Sequence, residues 1–171
     1  MRYMNQKLYS GGGQSSPERE ACIQILDGDD WEIYDDSFAA SLKGNYHSTY
    51  CIDLDPSDPT HIYAGTQAGL FEFRNGKMTQ HYSIDNAPFV PASDTDPYSY
   101  TLITTLKATP DGGPLMLTAE AIASGSSTFV QVKVPRNDGT NLADYLLSNV
   151  YITSICIDGA GRKYHRTSRP L

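Results

Sequence analysis

Apolar and polar residues alternate with a period of two along much of the chain. Valines share one face of residues 129–134, and Phe71 and Phe73 share one face of residues 70–74. Residues 61–66 alternate in the same way, whereas a period of 3.6 residues is nearly absent. Alternation of this kind is typical of half-buried strands. It predicts an all-β protein made of short antiparallel strands.

Turn signals separate these strands. The sharpest is Asn75-Gly76, because both residues tolerate the positive φ of a type I′ hairpin. Similar signals recur at residues 27–28, 56–59, 111–114, 137–139 and 159–161. The proline-rich residues 85–99 are predicted to form a connecting loop, and residues 35–46 are polar and small. Residues 141–149 fit a short helix or a strand equally well.

The order of the strands contains an internal repeat. Residues 51–56 and 154–159 are each an apolar strand that ends in aspartate and a turn residue, and a second strand that closes in threonine follows each. Residues 105–118 fit between them, with Thr109 in place of the aspartate. The repeats are about 50 residues apart, which is in the range of β-propeller blades.

The repeat predicts that residues 1–171 form one segment of a β-propeller with four-stranded antiparallel blades. Two whole blades are expected at 48–83 and 100–147, a partial blade at 6–34 and an incomplete one at 150–167. A closed propeller has about four to eight blades, and a lone blade buries too little apolar surface. We therefore expect a fragment that lacks flanking blades and self-associates through its open edges.

Composition and charge exclude several classes of protein. Hydrophobic residues make up 39% of the 171 residues, charged residues 19%, and the net charge is −7. This acidity disfavours contact with a phosphate backbone, so no nucleic-acid partner is expected. No run of about 18 apolar residues is long enough to span a membrane. Residues 1–14 lack the apolar core of a signal peptide.

Acidic residues and histidines are the candidate metal ligands. Asp53, Asp55 and Asp58 suggest a calcium loop, but the glycine and closing glutamate of an EF-hand are missing. We interpret these three as solvated turn carboxylates. The acidic hairpin tip has the same interpretation: Asp27, Asp29 and Asp30. The histidines lack zinc-ligand spacing, so the sequence predicts no metal and no cofactor: His47, His61, His81 and His165.

Candidate catalytic residues are scarce. The sequence has no Gly-x-Ser-x-Gly elbow and no Walker-type loop, and Ser126-Ser127 follows a glycine as a turn. Residues 158–164 are similar to the Asp-box of sialidases, which is itself a structural turn. The odd number of cysteines is no disulfide framework, and each is interpreted as a small buried strand residue: Cys22, Cys51 and Cys156.

Several aromatic residues could stack on a sugar. Packing between blades is the simpler interpretation for all of them: Trp31, Tyr34, Tyr46, Tyr50, Tyr98 and Tyr100. The residues alone therefore predict no catalytic, metal or cofactor site and leave the ligand-binding residues unknown.

Residues 54–77 resemble the blade motif of Bacteroidota surface propellers, most specifically at Gly65-Thr66 and residues 69–73. That group includes the PorZ-like propeller of the type IX secretion system and the sensor propellers of hybrid two-component regulators. Residues 9–13 followed by Trp31 are similar to the blade just upstream in PorZ-like members. The resemblance covers about residues 8–165. It departs from the family pattern at 163–171, which turn basic where an apolar strand is expected.

The resemblance implies a non-enzymatic binding or scaffolding module at the cell surface or in the periplasm. Its context would be type IX secretion or extracytoplasmic sensing, and its partner a protein or a glycan. Two alternatives stay open. One is a sialidase-like or other glycan-cleaving propeller enzyme, and the other is the sensor domain of a membrane kinase.

Overall fold

The computed structural model describes residues 1–12, 14–15, 18–19, 23–34, 42–43, 48–118, 122–124, 130–131, 133–135, 139–140, 142–145, 152–160 and 162–167. The regular elements in these ranges are strands, and every sheet is built from antiparallel pairs. The prediction of an all-β, partial propeller is confirmed. A helix long and apolar enough to cross a membrane does not occur in this part of the chain.

Blade 1 is the four-stranded sheet of residues 2–34, with strand order β1-β2-β5-β6. In chain order the strands of this region are β1 (Arg2–Met4), β2 (Lys7–Gly11), β3 (Gln14–Ser15), β4 (Glu18–Arg19), β5 (Ile23–Asp27) and β6 (Asp30–Tyr34). Strands β3 and β4 form a separate two-stranded sheet.

Blade 1 differs from the partial blade expected over residues 6–34. Its sheet has four strands and begins at Arg2, because β1 turns directly into β2. Asn5 and Gln6 make this turn with positive φ values of 51° and 64°. Positive φ is uncommon for residues other than glycine, so the sequence carries no conventional turn signal there.

Blade 2 is the four-stranded sheet of residues 49–82, with strand order β10-β9-β8-β7. Its strands are β7 (Thr49–Leu54), β8 (His61–Thr66), β9 (Gly69–Arg74) and β10 (Lys77–Tyr82). Asn75 and Gly76 join β9 to β10 with φ values of 50° and 77°. The predicted hairpin is therefore confirmed.

Blade 3 is the sheet of β11 (Ile103–Ala108), β12 (Pro114–Thr118), β13 (Ile122–Ser124) and β14 (Val130–Gln131). A two-stranded sheet of β15 (Lys133–Pro135) and β16 (Ala143–Tyr145) follows. The alternating residues 129–134 thus contribute to two strands with different partners. Residues 141–149 fitted a helix or a strand equally well from sequence, and the structure has a strand there, at Ala143–Tyr145.

Blade 4 is described as a pair of strands, β17 (Ile152–Ile157) and β18 (Lys163–Thr167). The first two strands of blades 2, 3 and 4 share one pattern, which confirms the internal repeat. In each of these blades, the pairing register between the first and second strands shifts near the start of the first strand. The residue just before that shift pairs with a threonine of the second strand: Thr49 with Thr66, Ile103 with Thr118, and Ile152 with Thr167.

The residue after each first strand closes the hairpin in the same way. The N–H groups of Asp55, Thr109 and Asp158 donate across the turn to carbonyl oxygens at 3.0, 2.7 and 3.0 Å. Thr109 therefore replaces aspartate and keeps the hydrogen bond that closes the hairpin, across a turn as long as that after Asp158 and shorter than that after Asp55. Asp53 of β7 and Lys107 of β11 consequently occupy equivalent positions in successive blades.

The main apolar core lies between blades 1 and 2. Phe71 and Phe73 are fully buried, and they share this cluster with Tyr9 and Ile25 of blade 1. The Tyr34 ring stacks on Phe73 with centroids 6.1 Å apart. The face that the alternation predicts Phe71 and Phe73 to share is therefore the face turned towards this core.

Close contact between blades 2 and 3 explains the Gly65-Thr66 motif. A Cβ atom on Gly65 would lie 2.8 Å from the Ile103 carbonyl oxygen, so a side chain there would push β11 away. Thr66 Oγ1 donates to Gly69 O at 2.9 Å and accepts from Ala68 N at 3.0 Å. The motif therefore sets the spacing of two blades and the turn into β9.

Candidate functional site

The first strands of blades 1, 2 and 3 meet at the carboxylate of Asp53. Asp53 Oδ1 lies 2.9 Å from Arg2 Nε, and Asp53 Oδ2 lies 2.9 Å from Lys107 Nζ. The same Oδ2 accepts the backbone N–H of Ala108 at 2.8 Å. We call Arg2, Asp53 and Lys107 the axial site, because first strands line the central axis of a propeller.

Among the described strands, the first strand of each blade lies at the edge of its sheet. Polar groups on such an edge need other partners. Arg2 Nε donates to Ile52 O at 3.3 Å, and Cys51 Sγ donates to Ile103 O at 3.4 Å. Side chains from one blade thus satisfy the backbone edge of the next.

A cavity of about 450 Å³ opens beside the axial site. Its lining comes from β1, from the end of β7 and from Lys107: Met1, Arg2, Tyr3, Met4, Asp53, Leu54, Pro56 and Lys107. The side chains of Arg2 and Lys107 are 40% and 31% exposed, so their cationic groups are partly accessible from the cavity. The cavity therefore offers cationic donors next to an apolar wall.

The interpretation of Asp53 and Asp55 as solvated turn carboxylates is wrong. Their exposed fractions are 4% and 7%, because both bind groups inside or between blades. Asp58 does lie in the turn, where Oδ1 accepts Thr60 N at 3.0 Å. Within the described residues, no group of three or more acidic, histidine or cysteine side chains is arranged to hold a metal ion.

A second polar cluster is buried between blades 2 and 3. His61 Nδ1 lies 3.2 Å from Asp55 Oδ2, and His61 Nε2 lies 2.8 Å from Glu72 Oε1. Asp55 and Glu72 each also accept a hydrogen bond from a hydroxyl group, Asp55 from Ser57, and Glu72 from Tyr82 at 3.1 Å.

This buried cluster does not have the geometry of a nucleophilic triad. Ser57 Oγ donates to Asp55 Oδ1 at 2.7 Å, so Ser57 and His61 bind the same carboxylate. In a triad, the histidine takes the proton of the serine directly. Burial raises the pKa of Asp55, but hydrogen bonds from Ser57 and His61 outweigh it and lower that pKa overall. The cluster is therefore a structural link between β7, β8 and β9.

His81 leads to a prediction about pH. Its ring stacks on Phe71 with centroids 4.3 Å apart, and Nε2 donates to Ala68 O at 2.7 Å. Burial lowers the pKa of His81 below 6.5, although Ala68 O and Asp85 oppose the shift. As the pH falls, His81 is therefore protonated in the unfolded chain before it is protonated in the folded protein. The stability that is present above pH 6.5 is lost as the pH falls through the pKa of His81 in the folded protein.

Urea unfolding at pH 8, 7, 6 and 5 tests this prediction. The free energy of unfolding should fall towards pH 5 in the wild-type protein, and His81→Gln should fall less. Glutamine retains an N–H donor for Ala68 O but does not titrate. An identical pH profile in the two proteins would contradict the role given to His81.

The cysteines offer no activated thiolate among the described residues. Burial raises the pKa of the Cys51 thiol to about 12. Cys156 is exposed, which contradicts its interpretation as a buried strand residue. Cys22 lies outside the described residues, as do His47, Tyr46 and Ser126-Ser127.

The aromatic candidates do not share one binding surface. Tyr34 packs between blades as expected, and burial raises its pKa to about 12. Tyr98 donates to Asp85 Oδ1 at 2.9 Å. Three of the candidates are exposed in the described part of the chain: Trp31, Tyr50 and Tyr100.

The Asp158 segment is a structural turn, as expected for an Asp-box-like sequence. Asp158 Oδ1 accepts the backbone N–H groups of Ala160 and Arg162, both at 2.9 Å. These bonds and the Arg162 side chain lower the pKa of Asp158. Asp158 is the blade 4 equivalent of Asp55, so its role is to close the first hairpin.

Comparisons with known proteins find similarity in structure. No protein-family model and no curated protein matches the sequence. One similar structure is PorZ, an essential surface component of the type IX secretion system of Porphyromonas gingivalis. It is 14% identical, with a TM-score of 0.48, over 98% of this chain and 38% of that chain.

Another similar structure is the extracellular domain of the hybrid two-component system BT4673 from B. thetaiotaomicron. It is 16% identical, with a TM-score of 0.59, over 97% of this chain and 19% of that chain. A structure of the same domain described as a one-component system gives the same identity and TM-score. The chain thus spans between about a fifth and two fifths of the length of these proteins. The similarity to BT4673 shows the fold, an all-β segment of antiparallel propeller blades.

Proposed function

We propose that this chain is a non-enzymatic binding module of the cell surface or periplasm that holds its ligand at the axial site. The partly exposed cationic groups of Arg2 and Lys107, which line one cavity, are the observation that carries the proposal. The sequence resemblance to Bacteroidota surface propellers supports a context in type IX secretion or extracytoplasmic sensing. The fold shared with an extracellular domain supports the same location.

The chemistry of the cavity favours a small anionic saccharide. Arg2 and Lys107 carry two positive charges against the single negative charge of Asp53, and guanidinium and ammonium groups bind carboxylate or phosphate. The volume of about 450 Å³ is within the usual range of small-molecule sites. Leu54, Pro56 and Met4 supply an apolar wall for the body of the ligand.

Calorimetric titration with glucuronic acid, glucose 6-phosphate and glucose tests the proposal. Both anionic sugars should bind, and glucose should bind at least about tenfold more weakly, a difference of about 1.4 kcal/mol. Lys107→Met should weaken the anionic sugars by a similar factor. The matched control is Lys77→Met on the exposed outer hairpin, which should leave binding unchanged.

Two results would contradict the proposal. One is equal binding of glucose and the anionic sugars, and the other is unchanged binding in Lys107→Met. Hydrolysis of an aryl glycoside by the protein would instead support the enzymatic alternative.

A further inference from the structure

The carboxylate of Asp53 pairs with both cationic groups that line the cavity beside the axial site. Its side chain is almost fully buried, whereas those of Arg2 and Lys107 are partly exposed. Among the described residues that line the cavity, these three have the charged side chains. An anion that enters the cavity therefore meets two cations that already face a negative charge of the protein.

The repeat indicates that a blade does not require an acid at this position. One position of the first strand recurs in four blades, as the strand pairing shows: Arg2 pairs with Tyr9, Asp53 with Tyr63, Lys107 with Leu115, and Cys156 with Tyr164. Asp53 is the one acid among the four first-strand residues at this position. The negative charge of Asp53 is therefore a property of the axial site and not of the blade architecture.

The charge of Asp53 can be removed while the contacts that hold the site together are largely retained. Asp53 Oδ2 accepts the backbone N–H of Ala108 at 2.8 Å, and the oxygen of an asparagine can accept it too. The amide nitrogen of that asparagine would face Arg2, whose Nε also donates to Ile52 O at 3.3 Å. Asp53→Asn therefore changes mainly the electrostatics of the cavity.

We propose that Asp53 sets the charge selectivity of the axial site by lowering its affinity for anions, and more so for doubly charged than for singly charged anions. This inference rests on the proposed function, the binding of an anionic saccharide beside Arg2 and Lys107. Coulomb energies add over pairs of charges, so each negative charge of the ligand is repelled by Asp53 separately. Asp53 is thus an internal competitor for the two cations.

The expected size of the effect follows from the partial exposure of the site. Water and salt screen charges in a cavity that is open to solvent, so one unit charge is expected to change binding by about threefold. A carboxylated sugar carries one negative charge. A phosphorylated sugar carries nearly two at neutral pH, because the second pKa of a phosphate monoester is about 6. Its response should therefore be about the square of threefold, which is about tenfold.

Calorimetric titration of Asp53→Asn at low salt tests the proposal. Compared with the wild-type protein, the variant should bind glucuronic acid about threefold and glucose 6-phosphate about tenfold more tightly, with no change for glucose. Its free energy of unfolding should fall, because the ion pairs with Arg2 and Lys107 are lost. A merely structural role of Asp53 would instead lower affinity and stability together.

The matched control is Asp27→Asn, which removes one negative charge from an ion pair with Lys7 in blade 1. It changes the net charge of the protein equally and lies on the outer hairpin, so all three affinities should stay unchanged.

A second comparison keeps the proposal testable if Asp53→Asn alone does not fold. Lys107→Met leaves Arg2 and Asp53 with no net charge, so glucose 6-phosphate should lose its advantage over glucose. Adding Asp53→Asn to Lys107→Met should restore that advantage. A thermal melt of each variant verifies that it is folded.

The possible outcomes distinguish this proposal from the proposed function. If the wild-type protein binds both anionic sugars but folded Asp53→Asn binds them equally or more weakly, the role of Asp53 is overturned and the proposed function stands. Equal gains for glucose and for both anions, or the same gains in Asp27→Asn, would also overturn the role of Asp53. Failure of the wild-type protein and of both Asp53 variants to bind any of the three sugars would overturn both proposals.

Discussion

Replacing Phe71 or Phe73 with alanine is expected to lower the free energy of unfolding by about 3–5 kcal/mol each. Both rings are fully buried in the core between blades 1 and 2. Phe71 also stacks on His81, and Phe73 on Tyr34. Truncation of either ring leaves a cavity between the sheets of blades 1 and 2. Urea unfolding followed by circular dichroism measures the loss.

The matched control is Lys77→Ala, a truncation of an exposed side chain in the adjacent strand β10. Exposed substitutions of this kind usually change stability by less than about 0.5 kcal/mol. Comparable losses in the phenylalanine variants and in the control would mean that the two rings do not face a packed neighbouring blade.

Replacing Asp53 with alanine is expected to destabilise the protein by about 1.5–3 kcal/mol, the range for hydrogen bonds to a charged group. The change removes the shared acceptor of Arg2, Lys107 and the Ala108 N–H. Arg2 and Lys107 are partly exposed, so water can solvate them after the change. The Ala108 N–H loses its partner at the edge of β11.

Asp53→Asn separates these contributions. Asparagine retains an oxygen for the Ala108 N–H but carries no charge, so the loss should be smaller than in Asp53→Ala. Denaturant unfolding of both variants at pH 7 measures the difference. Stability equal to that of the wild-type protein in both would be expected of a solvated turn residue and would refute the structural role of Asp53.

The fold could be predicted from the sequence because the signals that specify it are local. Alternation with a period of two, the Asn75-Gly76 turn and the threonines that close each second strand are all readable within a few residues. The missed strand, β1, depends on the positive φ of Asn5 and Gln6. Neither residue is glycine, so the turn has no local signature.

The axial site could not be predicted from the sequence because its residues are distant along the chain. Arg2 and Lys107 each lie about fifty positions from Asp53. They meet only because successive blades place equivalent positions side by side. The same limit applies to His61, whose partner Glu72 lies on the next strand. An alignment of the repeats is the one signal that pairs Asp53 with Lys107.

A double-mutant cycle between Asp53 and Lys107 tests most directly whether successive blades meet at the axial site. Asp53→Asn, Lys107→Met and the double variant are compared with the wild-type protein in urea unfolding at low salt. Contacting residues usually show coupling of about 0.5–3 kcal/mol, and we expect about 1 kcal/mol here. Lys7 and Asp27, an exposed pair within blade 1, should give less. Strictly additive effects at Asp53 and Lys107 would contradict the account.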